Sequence, residues 1–292
     1  MIIVRLRGGL GNQMFQYALG KRIAHELNTT LKLDLTSLLK TYDTEMVTNR
    51  DYQLDIFNLE PSFLVQPNLL RKLDKLGLNF VSQLIKGIKL FGIKKYKEKS
   101  FTVEDWIIKN PKNNILYSGY WQSESYFESA EDVLRKDFQF KDSLSIQAQE
   151  IYDKIQSVNA VCVHMRRGDY VNNHVFNSGS LDYFESAAHY IDQKESQPHF
   201  FVFSDDPEWC KSNVKFEQEF TVVDYHTDKI KFKEDLQLMS SCKHFIMSAS
   251  SFSWWAVWLS NKKGNIVIAP EPWFLNSDKD VSDLVSEDWI RM

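Results

Sequence analysis

His164, Arg166, Arg167 and Asp169 stand close together in "VCVHMRRGDYV", the stretch from Val161 to Val171. The apolar run Val161–Val163 reads as a buried strand, and Gly168 turns the chain where the charge begins. Two guanidiniums beside one carboxylate make a place for an anion. A guanidinium keeps its charge and its fork matches phosphate oxygens, so one of these arginines can grip a phosphate. The plainer alternative is an exposed arginine pair neutralised by Asp169.

Three other stretches carry comparable chemistry. "RGGLGNQ", Arg7 to Gln13, places Gly8, Gly9 and Gly11 between a strand and a helix. Such a turn presents backbone N–H groups at a helix N-terminus, where an anion is favoured. It is not a Walker loop, and Met14 stands where a dinucleotide fingerprint needs its third glycine. Gly9 and Gly11 followed by Asn12 and Gln13 suit a phosphate or sugar better than a plain turn, which needs fewer glycines. "FSDD" ends a strand with Asp205 and Asp206. Adjacent acids on a strand point apart, so they make a poor metal pair, and Asp206 before Pro207 reads as a helix N-cap. "SASSFSWW" sets Ser248, Ser250, Ser251 and Ser253 around a helix start, able to cap it and to offer hydroxyls to a phosphate. Trp254, Trp255 and Trp258 are core by spacing, and no histidine pair has zinc spacing.

The elements that must hold these residues follow from the apolar pattern. At 292 residues and 43% hydrophobic, the chain is globular and long enough for two domains. In the first, taken as 1–150, a strand at Ile2–Leu6 leads through the glycine turn to a helix near Gln13–Leu27, then to the strands "LKLDL" and "NILYSGY" and an acidic helix "ESYFESAEDVLRKDF". Between them, 67–99 repeats Leu and Ile at helical spacing amid lysines. That predicts one or two amphipathic helices packed on the domain, or a basic amphipathic helix on an anionic membrane surface. In the second, 151–292, the runs "AVCVHM", "HFFVFSD", "FTVVDY", "HFIMSAS" and "NIVIAP" alternate with helical stretches, which implies a parallel, doubly wound, Rossmann-like sheet. Each run ends in polar residues, and ligands of open parallel sheets bind outside the carboxyl ends of the strands.

Composition narrows the function classes. A net charge of −4 argues against a dedicated nucleic-acid binder. Cys162, Cys210 and Cys242 are odd in number and far apart, which fits buried free thiols in a reducing compartment. The apolar run before Arg5 is too short for a signal peptide, and no stretch approaches the ~20 apolar residues of a membrane span. The expectation is a cytoplasmic protein, with peripheral attachment at the inner membrane left open.

Taken together, "RGGLGNQMFQYA", "HMRRGDY", "FSDDPEWC" and "EDLQLMSSCKHFIMSASSFSWWAVWL" resemble the bacterial alpha-1,2-fucosyltransferases, in the right order and over nearly the whole chain. The resemblance implies an α/β fold of two facing Rossmann-like domains, the GT-B architecture. It implies GDP-L-fucose as donor, a β-galactoside or glycan 2-hydroxyl as acceptor, inversion at the anomeric carbon, and neither cofactor nor essential metal. By the same resemblance Arg166 contacts the donor's β-phosphate and stabilises departing GDP, with His164 as a second donor or an orienter of the loop. Gly9, Gly11, Asn12 and Gln13 belong to the loop over phosphates and fucose, Asp235 reads guanine, and Ser250, Ser251 and Phe252 line the donor. Asp205 is placed with these donor-binding residues. The acceptor proton goes either to Asp169 as general base or to a phosphate oxygen of the leaving group. This chain departs from the family in having Ala249 where an asparagine is usual, and in Ala256 and Val257. The alternative reading is therefore a GDP-sugar-binding protein impaired in catalysis.

Overall fold

The computed structural model describes residues 1–38, 50–168, 177–225, 231–275 and 278–292. It parts the chain into two compact units, Met1–Lys141 and Asp142–Met292. The division falls nine residues before the 150/151 boundary taken from the sequence, so the helix over 146–157 goes with the second unit.

In the first unit the elements are β1 (Ile2–Arg5), α1 (Leu10–Glu26), β2 (Leu31–Asp34), α2 (Pro67–Lys75), α3 (Asn79–Lys89), β3 (Lys94–Lys97), α4 (Asp105–Lys109), β4 (Ile115–Ser118) and α5 (Glu131–Asp137). The four strands form a parallel sheet in the order β2-β1-β4-β3. Helix α1 is buried along most of its length although its sequence carries Gln13, Gln16 and Arg22. All three are occupied inside the fold. Gln16 accepts from the Arg7 N–H at 2.9 Å and donates to the Gly119 carbonyl at 3.1 Å, while Arg22 donates to the carbonyls of Tyr126 and Ile107. Buried polar groups are tolerable only when bonded in this way.

Two sequence expectations change here. The stretch 67–99 holds two helices, α2 and α3, as the spacing predicts, but is not helical to its end: Gly77 and Gly92 adopt left-handed φ of 68° and 75°, which ends α2 and then the turn after α3. Beyond Gly92 the chain runs extended, and Lys94–Lys97 pairs with β4 as the edge strand β3. The acidic stretch "ESYFESAEDVLRKDF" contributes only α5 as an α-helix, after two short 3₁₀ turns at Glu124–Tyr126 and Glu128–Ala130.

The second unit runs α6 (Ile146–Ser157), β5 (Asn159–Met165), α7 (Leu181–Lys194), β6 (Pro198–Ser204), α8 (Pro207–Asn213), β7 (Phe220–Val222), α9 (Lys231–Ser241), β8 (His244–Met247), α10 (Ser251–Ser260), β9 (Val267–Ala269) and β10 (Ile290–Arg291). Its six parallel strands lie in the order β10-β9-β8-β5-β6-β7. Strands β5, β6 and β8 are buried on both faces, which is why they read as continuous apolar runs rather than alternating ones. The core lies under α7, where Phe184, Ala187, Ala188 and Ile191 cover Val161, Val163, Phe200 and Val202. Both units are therefore Rossmann-like α/β layers, as the sequence predicts. Cys162, Cys210 and Cys242 are free and buried.

Strand order locates the site. From β5 the chain winds through β6 and β7 to one side, then returns through β8, β9 and β10 to the other. The order reverses between β5 and β8, and in an open parallel sheet that switch point opens a crevice at the carboxyl ends of the strands.

Candidate active site

Strand β5 carries His164 and Met165 to the switch point and ends there, so Arg166 and Arg167 leave the sheet at its carboxyl edge. The Arg166 N–H donates to Ser248 Oγ at 2.9 Å, and the Ser248 N–H donates to the His164 carbonyl at 3.0 Å. Ser248, wholly buried, also donates its hydroxyl to the Ser178 carbonyl at 2.6 Å. It thereby ties the ends of β5 and β8 together across the reversal.

Asp205, just past β6, faces the same edge. Its Oδ2 lies 2.8 Å from Arg166 Nη1, and its Oδ1 accepts from the Arg167 N–H at 2.8 Å. One carboxylate thus orients the Arg166 side chain and the following backbone together. The approach requires Gly168, where a Cβ would stand 2.4 Å from Asp205 Oδ2. Arg167 turns the other way, with Nε 3.3 Å from Asp206 Oδ2 and its guanidinium over the Trp209 ring at 3.4 Å. Asp206 also accepts from the Trp209 N–H at 3.2 Å, the N-cap of α8 that the Asp-Pro pair predicts. Asp205 and Asp206 are therefore engaged with arginines, and among the described residues no group of three or more His, Cys, Asp or Glu could hold a metal ion. Asp169 lies outside the described residues.

His164 sits beneath this edge, 5% exposed, its ring 5.7 Å from that of Phe252 and its Nδ1 buried without a partner among the described residues. Burial, with the Arg166 charge beside it, lowers its pKa from the ordinary 6.5 to about 4. The ring is neutral at pH 7, so what it offers a ligand is a hydrogen bond rather than charge. A stability prediction follows, because the unfolded chain takes up this proton near pH 6.5 and the folded one only near pH 4. The His164 contribution is whole above the unfolded value and is lost as pH falls, by about 3 kcal/mol once pH 4 is passed. Thermal unfolding of the wild type should lose stability between pH 7 and pH 4 more steeply than that of His164→Asn. Parallel curves would place the imidazole in an open, ordinary environment.

Helix α10 opens at the other side of the switch. Ser250 is its N-cap, accepting from the Phe252 N–H at 3.2 Å, and Ser251 is its first residue. Phe252 leans on His164, so these positions share one edge with Arg166. Asp235 is buried on α9. Burial, with the charges of Asp235 and Glu234, pushes the Tyr225 hydroxyl well above the usual range. Glu234 accepts from the Ser145 N–H at 2.5 Å and braces the start of α6.

The first unit gathers its own polar edge at the carboxyl ends of β1, β3 and β4. Gly8 has a left-handed φ of 77°, and a Cβ there would stand 2.5 Å from Asn12 Nδ2, so only glycine fits. Gly9 is the N-cap of α1 and supplies no side-chain cap, and Gly11 is buried in the first turn. Asn12 accepts from Gln122 Nε2 at 2.7 Å. Gln13 is fully buried: its amide nitrogen donates to the carbonyls of Gly8 and Asp51, and its oxygen accepts from the Gln53 N–H. It holds the loop from behind.

Two residues of this edge, Glu98 and Gln122, escaped the sequence reading, and Arg7 entered it only as the first residue of the glycine motif. Arg7 lies over the Tyr120 ring at 4.2 Å. Glu98 accepts from the N–H groups of Tyr120 at 2.6 Å and Trp121 at 2.8 Å, holding Trp121 at a left-handed φ of 58°. Burial raises the Glu98 pKa against the pull of those two N–H groups and of Arg7. Gln122 positions Asn12. Only their places just after strands could have singled them out. Ser248 and Tyr183, which donates to the Met247 carbonyl at 2.8 Å, were likewise visible only as members of a serine cluster and a helix.

Comparison with known proteins adds to this geometry. The family model described as glycosyl transferase family 11 matches residues 1–292. The chain is 35% identical over 305 residues to the alpha-1,2-colitosyltransferase of Escherichia coli, covering 100% of this chain and 99% of that protein. It is 28% identical over 160 residues to galactoside alpha-(1,2)-fucosyltransferase 1 of Homo sapiens, covering 50% of this chain and 43% of that protein. Among solved structures it is similar to the fucosyltransferase NodZ from Bradyrhizobium, with a TM-score of 0.49 at 14% identity over 88% of this chain and 91% of that one.

Proposed function

The chain belongs to glycosyl transferase family 11, and from that premise we propose that it moves L-fucose from GDP-L-fucose to the 2-hydroxyl of a β-galactoside. The acceptor oxygen attacks the anomeric carbon while the bond from that carbon to the β-phosphate oxygen breaks. GDP leaves with the electron pair, the anomeric centre inverts, and no metal is required. The observation that carries this reading is Arg166, fixed by Asp205 and Ser248 at the switch point of the second sheet. A charge held in advance where leaving-group charge develops is an effective form of catalysis.

In this reading Ser250, Ser251 and Phe252 meet the donor at the N-terminus of α10, with neutral His164 as a further hydrogen-bond partner. Asp235 accepts from the N1–H and N2–H donors of guanine. Gly9, Gly11 and Asn12 belong to the loop that covers the phosphates and sugar, supported by Gln13. Asp169 or a phosphate oxygen takes the acceptor proton. The buried thiols agree with a reducing, cytoplasmic setting.

A second donor has its own support. Colitose is the 3-deoxy counterpart of L-fucose, and the 35% identity to an alpha-1,2-colitosyltransferase spans the full chain. The test is GDP release from GDP-L-fucose and from GDP-colitose with EDTA present, each with and without lactose. Lactose-dependent release from GDP-L-fucose at the higher kcat/KM is the expected result. A preference for GDP-colitose would transfer the assignment to that sugar. Binding of both donors without release, over a panel of galactosides, would leave a GDP-sugar-binding protein.

A further inference from the structure

We propose that the outer face of α3 and the turns around it form a docking surface for an anionic lipid bilayer. The inference does not depend on which sugar is transferred. Helix α3 is apolar over a broad arc, and the fold uses only part of it. Ile85 packs on the cluster of Ile3, Leu64, Val65 and Leu116, as do Leu90 and Ile93 beyond the helix. Phe80, Leu84 and Ile88, each one turn from the next, point away from that cluster, and Phe91 extends their line. Phe80 is 77% exposed and Phe91 90%. Single exposed hydrophobics are ordinary, whereas a contiguous strip marks an interaction surface. Of the nine large hydrophobics exposed among the described residues, seven fall between Leu69 and Phe91.

Charge identifies the occupant. Residues 67–99 contain nine Lys and Arg against Asp74 and Glu98, a net +7 within a chain whose total is −4. From Lys75 to Lys97 there is no carboxylate at all. Lys94, Lys95 and Lys97 are exposed on β3, the edge strand that follows the strip. Lysines on an edge strand also discourage sheet extension, but that role needs no apolar strip beside them. A second copy of this chain would bring +7 against +7. A surface that is apolar beneath and anionic at its rim matches both features. Helices of this kind lie in the bilayer interface with their apolar side among the acyl chains, while lysine stems reach up to the phosphates. Among the described residues no helix is long and apolar enough to cross a membrane, so the attachment is to one leaflet.

The test is co-sedimentation of the full chain with phosphatidylcholine vesicles and with vesicles that also contain phosphatidylglycerol. Binding should require phosphatidylglycerol and weaken with salt. Combining Lys94→Glu, Lys95→Glu and Lys97→Glu should weaken it on the order of 100-fold, given the attraction that each basic residue near an anionic leaflet contributes. Combining Phe80→Ser and Phe91→Ser should also remove it, with every charge still in place. All five side chains are exposed or on an exposed edge, and unchanged circular dichroism and melting temperature verify the fold. Should either variant misfold, Phe80→Cys labelled with an environment-sensitive dye serves instead, since the three native cysteines are buried. Its emission should shift to the blue on phosphatidylglycerol vesicles. Absence of binding or of that shift, or binding that survives both variants, overturns the proposal. So does a concentration-dependent dimer that the phenylalanine variant dissolves, which gives the strip to a second copy. Binding to polyglutamate but not to vesicles gives it to an acidic polypeptide.

Discussion

Replacing Arg166 with alanine should lower donor-dependent transfer on the order of 10²- to 10³-fold, the usual effect of removing one group placed for developing negative charge. The geometry explains why so much rests on one side chain. Arg166 follows directly on a buried strand, its backbone is tied to Ser248, and its guanidinium is held by Asp205 at 2.8 Å. In the proposed reaction the positive charge is thus in position before a leaving diphosphate gains its own, and little reorganisation is needed. Arg166→Lys keeps the charge but loses the planar fork, so it should recover only a minor part of the rate. Asp205→Ala leaves the charge and removes its orienter; the loss should be smaller and should appear in kcat more than in KM. Single-turnover GDP release from the three variants separates these outcomes. Wild-type rates in Arg166→Ala would take Arg166 out of the reaction and with it the assignment of the leaving group to this edge.

The second large effect concerns stability. Trp255→Ala should cost about 3–5 kcal/mol and lower the melting temperature of the second unit on the order of 10 °C. Trp255 is wholly buried, with Trp254 and Trp258 edge-on to it at 5.1 Å each. Trp254 in turn donates its indole N–H to the Leu284 carbonyl at 2.8 Å and so ties α10 to the C-terminal segment. Removing the central ring leaves a cavity lined by aromatic groups too rigid to fill it. Because α10 starts at Ser250 and Ser251, the same loss should loosen the edge proposed to hold the donor. Trp255→Phe retains much of the volume and should cost clearly less. Thermal and urea unfolding measure both, and a cost below about 1 kcal/mol for Trp255→Ala would mean that the helix repacks freely.

Much of the candidate site could be read from the sequence because it is local. The apolar runs that stop at "HMRRGD", "SDD" and "SASS" announce strands and their polar ends. The Asp-Pro pair announces a capped helix, and Gly8 to Gly11 announce a turn that must come close to a side chain. The parts that could not be read depend on distant neighbours. Gln13 reads from the sequence as part of the ligand loop, and nothing local marks Gln16, until the loop at Asp51–Gln53 and the Gly119 carbonyl close over them. Lys94–Lys97 lacks an apolar face and passes for the tail of a basic helix, because an edge strand draws its stability from backbone pairing with β4 rather than from its own side chains. Glu98 carries no local signal beyond its place after β3, since its partners Tyr120 and Trp121 lie beyond Gly119.

The amino-acid sequence by itself determined the elements, their α/β alternation in parallel layers and the kinds of side chain that end each strand, because helix and strand periodicity, caps and turns are set by near neighbours. It also determined the family, through motifs spread over the whole chain. Only the tertiary structure decided that β5 lies between β6 and β8, and so that Arg166, Asp205 and Ser248 meet at one edge. Strand order in a parallel sheet is settled by burial and pairing across crossovers tens of residues long, where no local pattern specifies the neighbour. The same holds for charge: both arginines of "HMRRGD" are plain in the sequence, but which carboxylate each one faces was chosen by the sheet.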